Sequence, residues 1–197
     1  MKKLIRILCV LSMLLVSTCA VAFANADKAT VMEGADITGI HRLALNRPYY
    51  VVNDKLAPTL DQLIQIEADA AKVTRMYVIG YPAVAESIKA DKGVDILALD
   101  RRQSAKVFKE NAANYADAYV VLTVANDSRT SFFFDVYKAG TNELLYTYQI
   151  QANRSEGDNI HTYQNFCEQF YKNFDRSIQE QQNANTKAEK KAEKAKK

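Results

Sequence analysis

Histidine, cysteine and proline are scarce in this sequence, and each shortage excludes a class of protein. The 197 residues include two histidines, three cysteines, three prolines, six glycines and no tryptophan. Two histidines leave little material for a zinc or haem site, and the low proline and glycine content excludes collagen-like or proline-rich repeats. The sequence also has no P-loop, no Gly-x-Gly-x-x-Gly motif and no Gly-x-Ser-x-Gly elbow. We therefore expect no cofactor, no metal and no assignable catalytic residue.

The remaining composition is that of an ordinary globular protein. Apolar residues make up 48% of the chain and charged residues 25%, which argues against a largely disordered chain. A length of 197 residues predicts one domain or at most two small ones.

The first residues have the pattern of an export signal. Residues 1–6 carry three basic side chains and no acidic one, and residues 7–16 are almost wholly apolar. The small residues Ala24 and Ala26 occupy the −3 and −1 positions of a signal peptidase site. We therefore predict that residues 1–26 are a cleaved signal peptide and that Asp27 begins the mature chain. The apolar run is shorter than the roughly 20 residues that span a bilayer, so we expect no transmembrane segment after cleavage.

Two alternatives to this processing stay open at the level of the sequence. The first segment could remain as an uncleaved anchor, or Cys19 could be lipidated. Cleavage before Asp27 leaves Cys167 as the single cysteine, which excludes a disulfide within one molecule. We expect an exported protein, periplasmic or extracellular, that can associate with the cell envelope.

Charge is divided unevenly along the predicted mature chain. Residues 183–197 contain six lysines and two glutamates, whereas residues 27–182 contain 17 basic and 21 acidic side chains. The basic tail has no apolar face, so we predict a flexible or helical extension. Five of its lysines are candidates for contact with an anionic surface polymer: Lys190, Lys191, Lys194, Lys196 and Lys197. Export makes nucleic acid an unexpected partner.

The first half of the mature chain alternates between strand and helix patterns. After a lead-in over residues 27–38, short strands are predicted near residues 41–45, 49–52 and 76–79. Helices are predicted from Thr59 to about residue 71 and from Pro82 to about Lys92, where Gly93 ends the second helix. The apolar run 94–99 is predicted to be a further strand.

Residues 100–150 predict a helix followed by three strands. Asp100 and Gln103 have the spacing of a capping box, and the helix should continue to about Tyr115. The nearly continuous apolar run 118–125 predicts a central strand covered on both faces. Two more strands, 131–138 and 144–150, follow after short polar turns, so the three strands are predicted to form an antiparallel meander.

The final segment predicts the clearest helix in the chain. Six apolar residues recur at helical spacing: Ile160, Tyr163, Cys167, Phe170, Phe174 and Ile178. Such a stripe must be buried, most simply across the face of the sheet. The elements together predict one α/β domain over residues 39–182. Its expected fold is a single mixed β-sheet with βα units, an antiparallel meander and a C-terminal amphipathic helix packed on the sheet, with helices mainly on one face or divided between two.

Several short motifs between residues 94 and 150 resemble periplasmic α/β domains of the curli-secretion lipoprotein and TolB N-terminal type. The motifs are Leu99-Asp100-Arg101, Tyr-Ala-Asp-Ala-Tyr-Val-Val at 115–121, Phe-Asp-Val-Tyr at 134–137 and Gly-Thr-Asn-Glu-Leu-Leu-Tyr at 140–146. In those domains a strand ends in an Asp-Arg pair, and a helix, a strand and a hairpin follow. The resemblance implies a non-catalytic envelope domain that binds partners or assembles.

One junction is a candidate binding site. Asp100, Arg101 and Arg102 lie between a predicted strand and a predicted helix. Ligands of α/β sheets bind beyond the strand ends and beside helix N-termini, so these residues could contact an anion or a partner. In the alternative interpretation, the two arginines only solvate the surface.

The sequence therefore supports two hypotheses about function. The first is an exported, non-enzymatic bacterial envelope protein that acts through partner binding or assembly, with an envelope protein or an anionic polymer as the partner. The second is a periplasmic binder of a small anion or sugar, or a hydrolase, that uses the junction near residues 100–102. Whether the protein is an enzyme stays undecided, although the missing motifs favour the first hypothesis.

Overall fold

The structure, a computed structural model, describes residues 26–53, 55–153 and 159–195. Residues 1–25 of the predicted signal peptide, Ala24 included, lie outside the described residues, as do Lys196 and Lys197. The described chain contains one seven-stranded mixed sheet with α-helices packed on it.

The elements follow one another in an order close to the predicted one. The strands are β1 (Ala26–Val31), β2 (Arg42–Leu45), β3 (Tyr49–Val52), β4 (Tyr77–Ile79), β5 (Ala118–Asn126), β6 (Thr130–Lys138) and β7 (Leu144–Gln151). The helices are α1 (Leu60–Ala70), α2 (Tyr81–Lys92), α3 (Arg101–Asn111) and α4 (Ile160–Ala195).

The sheet combines an antiparallel part with a parallel part, as predicted. Its strand order is β1-β7-β6-β5-β2-β4, and β3 also pairs with β5. Strands β5, β6 and β7 form the predicted antiparallel meander, to which β1 adds an antiparallel edge. Strands β2 and β3 lie end to end along β5, because Leu45 pairs with Val120 and Tyr49 with Thr123, both in parallel.

Local capping explains where the helices begin and end. The Gln62 backbone N–H donates to Thr59 Oγ1 at 3.3 Å, and the Thr59 N–H donates back to Gln62 Oε1 at 2.9 Å. Asp100 caps α3 by accepting from the Gln103 N–H at 2.9 Å. Helix α2 ends at Gly93, whose φ of 68° lies in the left-handed region that glycine adopts without strain.

Helix α4 covers the inner face of the meander with aromatic side chains. The ring of Phe170 stacks on Phe134 with centroids 4.3 Å apart, and Tyr163 meets Phe132 edge to face at 4.9 Å. Tyr163, Phe170 and Phe174 are fully buried. The predicted packing of the last helix on the sheet is confirmed. Ile160 is an exception, since this first helical residue is 52% exposed and precedes the part of α4 that contacts the sheet.

Helices α2 and α3 pack on the opposite face, so the helices are divided between the two faces of the sheet. The second core contains Tyr81, Ile88, Phe108 and Tyr119. The hydroxyls of Tyr81 and Ser104 share a buried hydrogen bond of 2.7 Å, which joins α2 to α3.

The predicted strand at residues 94–99 is wrong, because this segment forms turns. Asp95 Oδ1 accepts the Leu97 N–H at 3.1 Å, and the Asp95 carbonyl accepts the Ala98 N–H at 3.2 Å. These bonds curl the backbone, while Ile96 fills the second core. The Asp100-Arg101 pair therefore follows a turn and not a strand, unlike the pattern in the domains that this region resembles.

The first and last described segments are more regular in structure than the sequence analysis specified. The predicted lead-in begins with β1, an edge strand whose Asp27 carboxylate accepts a 3.1 Å hydrogen bond from the Tyr148 hydroxyl. The basic tail continues α4, and residues 183–195 are exposed.

We predict that Phe170→Ala destabilises the mature protein by about 3–5 kcal/mol, the range for removal of a buried aromatic ring. The reason is the stacked and fully buried position of this ring. Urea unfolding measures the change, with Ile160→Ala as a control that stays within about 0.5 kcal/mol of wild type because Ile160 is exposed. Equal effects of the two changes would contradict the packing described.

A buried carboxyl group between α1 and α4 predicts a pH dependence of stability. Glu67 is 1% exposed, and its Oε1 has no hydrogen-bond partner among the described residues. Burial raises the pKa of Glu67 well above its ordinary value of 4.5, so the folded carboxyl keeps a proton that the unfolded carboxyl has lost. This contribution to stability is complete below the ordinary pKa and is lost as the pH rises towards the folded value.

We therefore expect wild-type stability to fall relative to Glu67→Gln as the pH rises above about 5, by up to about 1.4 kcal/mol per pH unit. Unfolding in urea at several pH values measures the difference between the two proteins. The exposed Glu86→Gln change is the control and should retain the wild-type slope. Parallel curves for wild type and Glu67→Gln would show that this carboxyl is not buried as described.

Candidate functional site

A cleft lies on the outer face of the sheet, beside α3. We call it the Tyr49–Arg101 cleft, and its volume is about 200 Å³. Its lining residues come from the β2–β3 segment, α3, β5 and β6: Asn46, Arg47, Tyr49, Arg101, Ala105, Lys109, Val121, Asp135 and Tyr137. Arg47-Pro48 separates β2 from β3, which both pair with β5, and the cleft lies beside this break, next to α3.

Two cations lie over tyrosine rings in this cleft. Arg101 Cζ is 3.6 Å from the ring centroid of Tyr49, and Lys109 Nζ is 5.9 Å from that of Tyr137. These distances allow cation–π attraction. A guanidinium that stacks on a ring keeps its N–H donors in the guanidinium plane, where they can form paired hydrogen bonds with a carboxylate or phosphate.

Positive charge in the cleft is not neutralised by ion pairs. Among the described residues, Arg47, Arg101 and Lys109 form no ion pair within 4.0 Å. The nearby carboxyl is that of Asp135, which is half-buried, and burial raises its pKa above the ordinary value. Three cations against one carboxyl give the cleft a net positive charge, which attracts anions.

The basic surface continues over the outer side of α3. Arg102 and Lys106 line a second depression of about 700 Å³ that shares Arg101 and Lys109 with the cleft. Lys106 is only loosely paired, with its Nζ 3.9 Å from Glu110 Oε1. An anion at the cleft can therefore belong to a larger molecule that extends across α3.

The structure separates the three residues singled out at the predicted junction. Arg101 lines the cleft, and Arg102 lies on the adjoining surface. Asp100 binds the α3 backbone through its carboxylate. It therefore has a capping role, and its side chain is not among those that line the cleft.

Sequence reasoning missed most of the cleft, because its residues are far apart in the chain. Arg47 and Tyr49 lie about fifty residues before Arg101, and Asp135 and Tyr137 about thirty-five residues after it. The alternation in β6 was a usable signal, since it places Asp135 and Tyr137 on the face opposite Phe134. Only the pairing of β3 and β6 with β5 shows that these side chains meet.

The lysine-rich tail has a different character. Lys187, Lys190, Lys191 and Lys194 recur every three or four residues and therefore share one side of the exposed end of α4. None of the described helices is long and apolar enough to cross a membrane.

Comparison with known proteins gives no family for this chain. No protein-family model and no curated protein matches it. Among solved structures, the LpoB C-terminal domain from Escherichia coli aligns with a TM-score of 0.46 and 13% identity, over 62% of this chain and 90% of that one.

Two further solved structures align at similar levels. The PelC dodecamer from Paraburkholderia phytofirmans gives a TM-score of 0.41 and 7% identity, over 73% of this chain and 94% of that one. The lipoprotein GNA1162 from Neisseria meningitidis gives a TM-score of 0.36 and 16% identity, over 60% of this chain and 85% of that one. Alignments this weak assign neither a family nor a function, and the resemblance to the curli-secretion and TolB domains stays a prediction.

Proposed function

We propose that this protein is an exported, non-enzymatic binding protein of a bacterial envelope, and that the Tyr49–Arg101 cleft binds an anionic group of a partner protein. The observation that carries the proposal is the convergence of Arg47, Arg101 and Lys109 without ion pairs to the described carboxylates. Export follows from the predicted signal peptide, and the partner supplies the negative charge that the cleft lacks.

The arrangement of Arg101 supports recognition of a carboxylate or phosphate. Stacking on Tyr49 at 3.6 Å limits the orientations of the guanidinium before anything binds. Less side-chain entropy is then lost on binding, and the in-plane donors already face one direction. A hydrogen bond to an ionised group of this kind contributes about 1.5–3 kcal/mol.

The size of the cleft favours a partner over a free small molecule. A volume of about 200 Å³ is below the roughly 300–1,000 Å³ of ordinary small-molecule sites. A single acidic side chain fits such a space, and the adjoining basic surface of α3 is available for the rest of the partner. The second hypothesis, a small anion or sugar binder or a hydrolase, would instead use the open depression of about 700 Å³ that Arg101 and Arg102 line.

We predict that a photo-cross-linking amino acid at Ala105, in the wall of the cleft, captures an envelope partner in cells of the native host. Adding Arg101→Gln should lower the yield about tenfold, because loss of a charge-assisted contact of 1.5–3 kcal/mol changes affinity by at least about that factor. Mass spectrometry of the cross-linked product identifies the partner and the mature N-terminus together.

Two controls distinguish binding at this cleft from nonspecific binding elsewhere on the surface. The same amino acid at the exposed Ala113, outside the cleft, should capture much less of the same partner. Arg129→Gln removes an exposed arginine elsewhere and should leave the Ala105 yield unchanged. Capture that is insensitive to Arg101→Gln would contradict the proposed role of the cleft. A thermal shift with free anions or sugars that Arg101→Gln abolishes, without partner capture, would favour the second hypothesis.

We also propose that the lysine-bearing side of the α4 extension attaches the protein to an anionic envelope surface. The lysines on this side are exposed, and a row of cations attracts a polyanion in a salt-dependent way. Lys190, Lys191 and Lys194 lie in the described helix, and Lys196 and Lys197 continue the sequence.

Deletion of residues 185–197 should abolish the salt-sensitive part of sedimentation with envelope fractions. The matched control replaces the tail lysines with glutamine, which keeps the length of the chain and removes the charge. At low salt, less of either variant than of wild type should sediment with the envelope fraction. At high salt, the sedimented amounts of all three proteins should be similar. Unchanged sedimentation of both variants would contradict a role in attachment.

A further inference from the structure

A second cleft lies between α4 and the segments that lead into β2 and β4. We call it the Arg75–Arg176 cleft, and its volume is about 550 Å³. Its apolar side chains are Ile40, Met76, Ile178 and Val73, and the first three are buried or half-buried. Arg75 and Arg176 line it and are exposed. The cleft therefore offers an apolar floor with cations at its rim.

The positive charges of Arg75 and Arg176 are not balanced by ion pairs within the described chain. Neither forms an ion pair within 4.0 Å among the described residues. The Asp175 carboxylate, which also lines the cleft, already accepts two hydrogen bonds. One comes from Thr74 Oγ1 at 2.7 Å and the other from the Arg75 backbone N–H at 3.3 Å. Lys172 is paired with Glu168 at 3.2 Å. Net positive charge at the rim is left for a bound group.

The walls of this cleft are held together before any ligand arrives. The Asp175 carboxylate attaches the turn at Thr74 to α4. On the other side, the Gln181 amide accepts the Ile37 N–H at 2.8 Å and donates to the Ala35 carbonyl at 2.7 Å. A preformed site loses little conformational entropy on binding, which favours use of the cleft for recognition.

The cleft also adjoins an unpaired sheet edge. Strand β4 is the last strand of the described sheet and pairs there with β2 alone. Met76 lines the cleft and immediately precedes β4, so the cleft lies next to the start of this edge strand. Backbone hydrogen bonds from such an edge and side-chain pockets beside it are a common mode of peptide recognition.

We infer that the Arg75–Arg176 cleft binds an extended peptide segment of another protein that alternates acidic and apolar residues. The acidic side chains pair with Arg75 and Arg176, and an apolar side chain packs on Ile40, Met76 and Ile178. The cleft shares no lining residue with the Tyr49–Arg101 cleft, so this inference stands without the proposed function.

The test measures binding of the mature chain to a fluorescent hexapeptide, Glu-Leu-Asp-Val-Glu-Leu, by anisotropy and by NMR shift mapping. The expected result is saturable binding with shifts around Met76 and Ile178. Arg75→Gln with Arg176→Gln should weaken it at least tenfold, as should Gln179→Glu, which places a negative charge in the lining of the cleft. All three positions are exposed, so the fold should tolerate these changes.

Arg129→Gln, at an exposed arginine outside both clefts, is the matched control and should change this affinity less than twofold. Several outcomes would overturn the inference: no binding at millimolar peptide, equal binding of the lysine counterpart Lys-Leu-Lys-Val-Lys-Leu, or insensitivity to the rim variants. Loss of binding with Arg101→Gln alone would assign the peptide to the other cleft. Binding of a fatty-acid anion without binding of the peptide would also overturn it, since a lipid would then be the occupant.

Discussion

The stacking of Phe170 on Phe134 is the contact on which the arrangement of this protein depends. Their rings are 4.3 Å apart and nearly parallel, and they lie in the middle of a row of buried aromatic residues shared by α4 and the meander. Without this row, the inner face of β5, β6 and β7 would expose a large apolar area to water. Helix α4 comes last among the described elements, so the meander lacks this aromatic cover until residues 163–174 have docked.

Both candidate binding sites lie where this layered packing stops. The Tyr49–Arg101 cleft forms at the border of α3, and the Arg75–Arg176 cleft forms where α4 passes the edge of the sheet at β4. Side chains at such borders can be cationic and partly buried without disturbing either core. The cores can therefore stay fixed if a group binds at these borders.

The sequence predicts the elements of this fold better than it predicts the site. The aromatic stripe of α4, the meander and the caps at Thr59, Asp100 and Gly93 depend on neighbours in the sequence, so their patterns are visible there. The turn at residues 94–99 escapes prediction because its apolar residues suit a strand, while Asp95 binds the local backbone. β1 escapes because an exposed edge strand needs no apolar face. The clefts escape because only the packing of helices on the sheet brings Arg101 of α3 to Tyr49 and α4 to Met76.

The most direct test of this account is native-state hydrogen exchange along α4. If the aromatic packing holds the fold together, amides of residues 163–174 exchange only through global unfolding, with the same free energy as amides in β5. Amides of residues 185–195, which cover no core, should exchange rapidly. Exchange of residues 163–174 through local opening, at a free energy well below that of β5, would contradict the account.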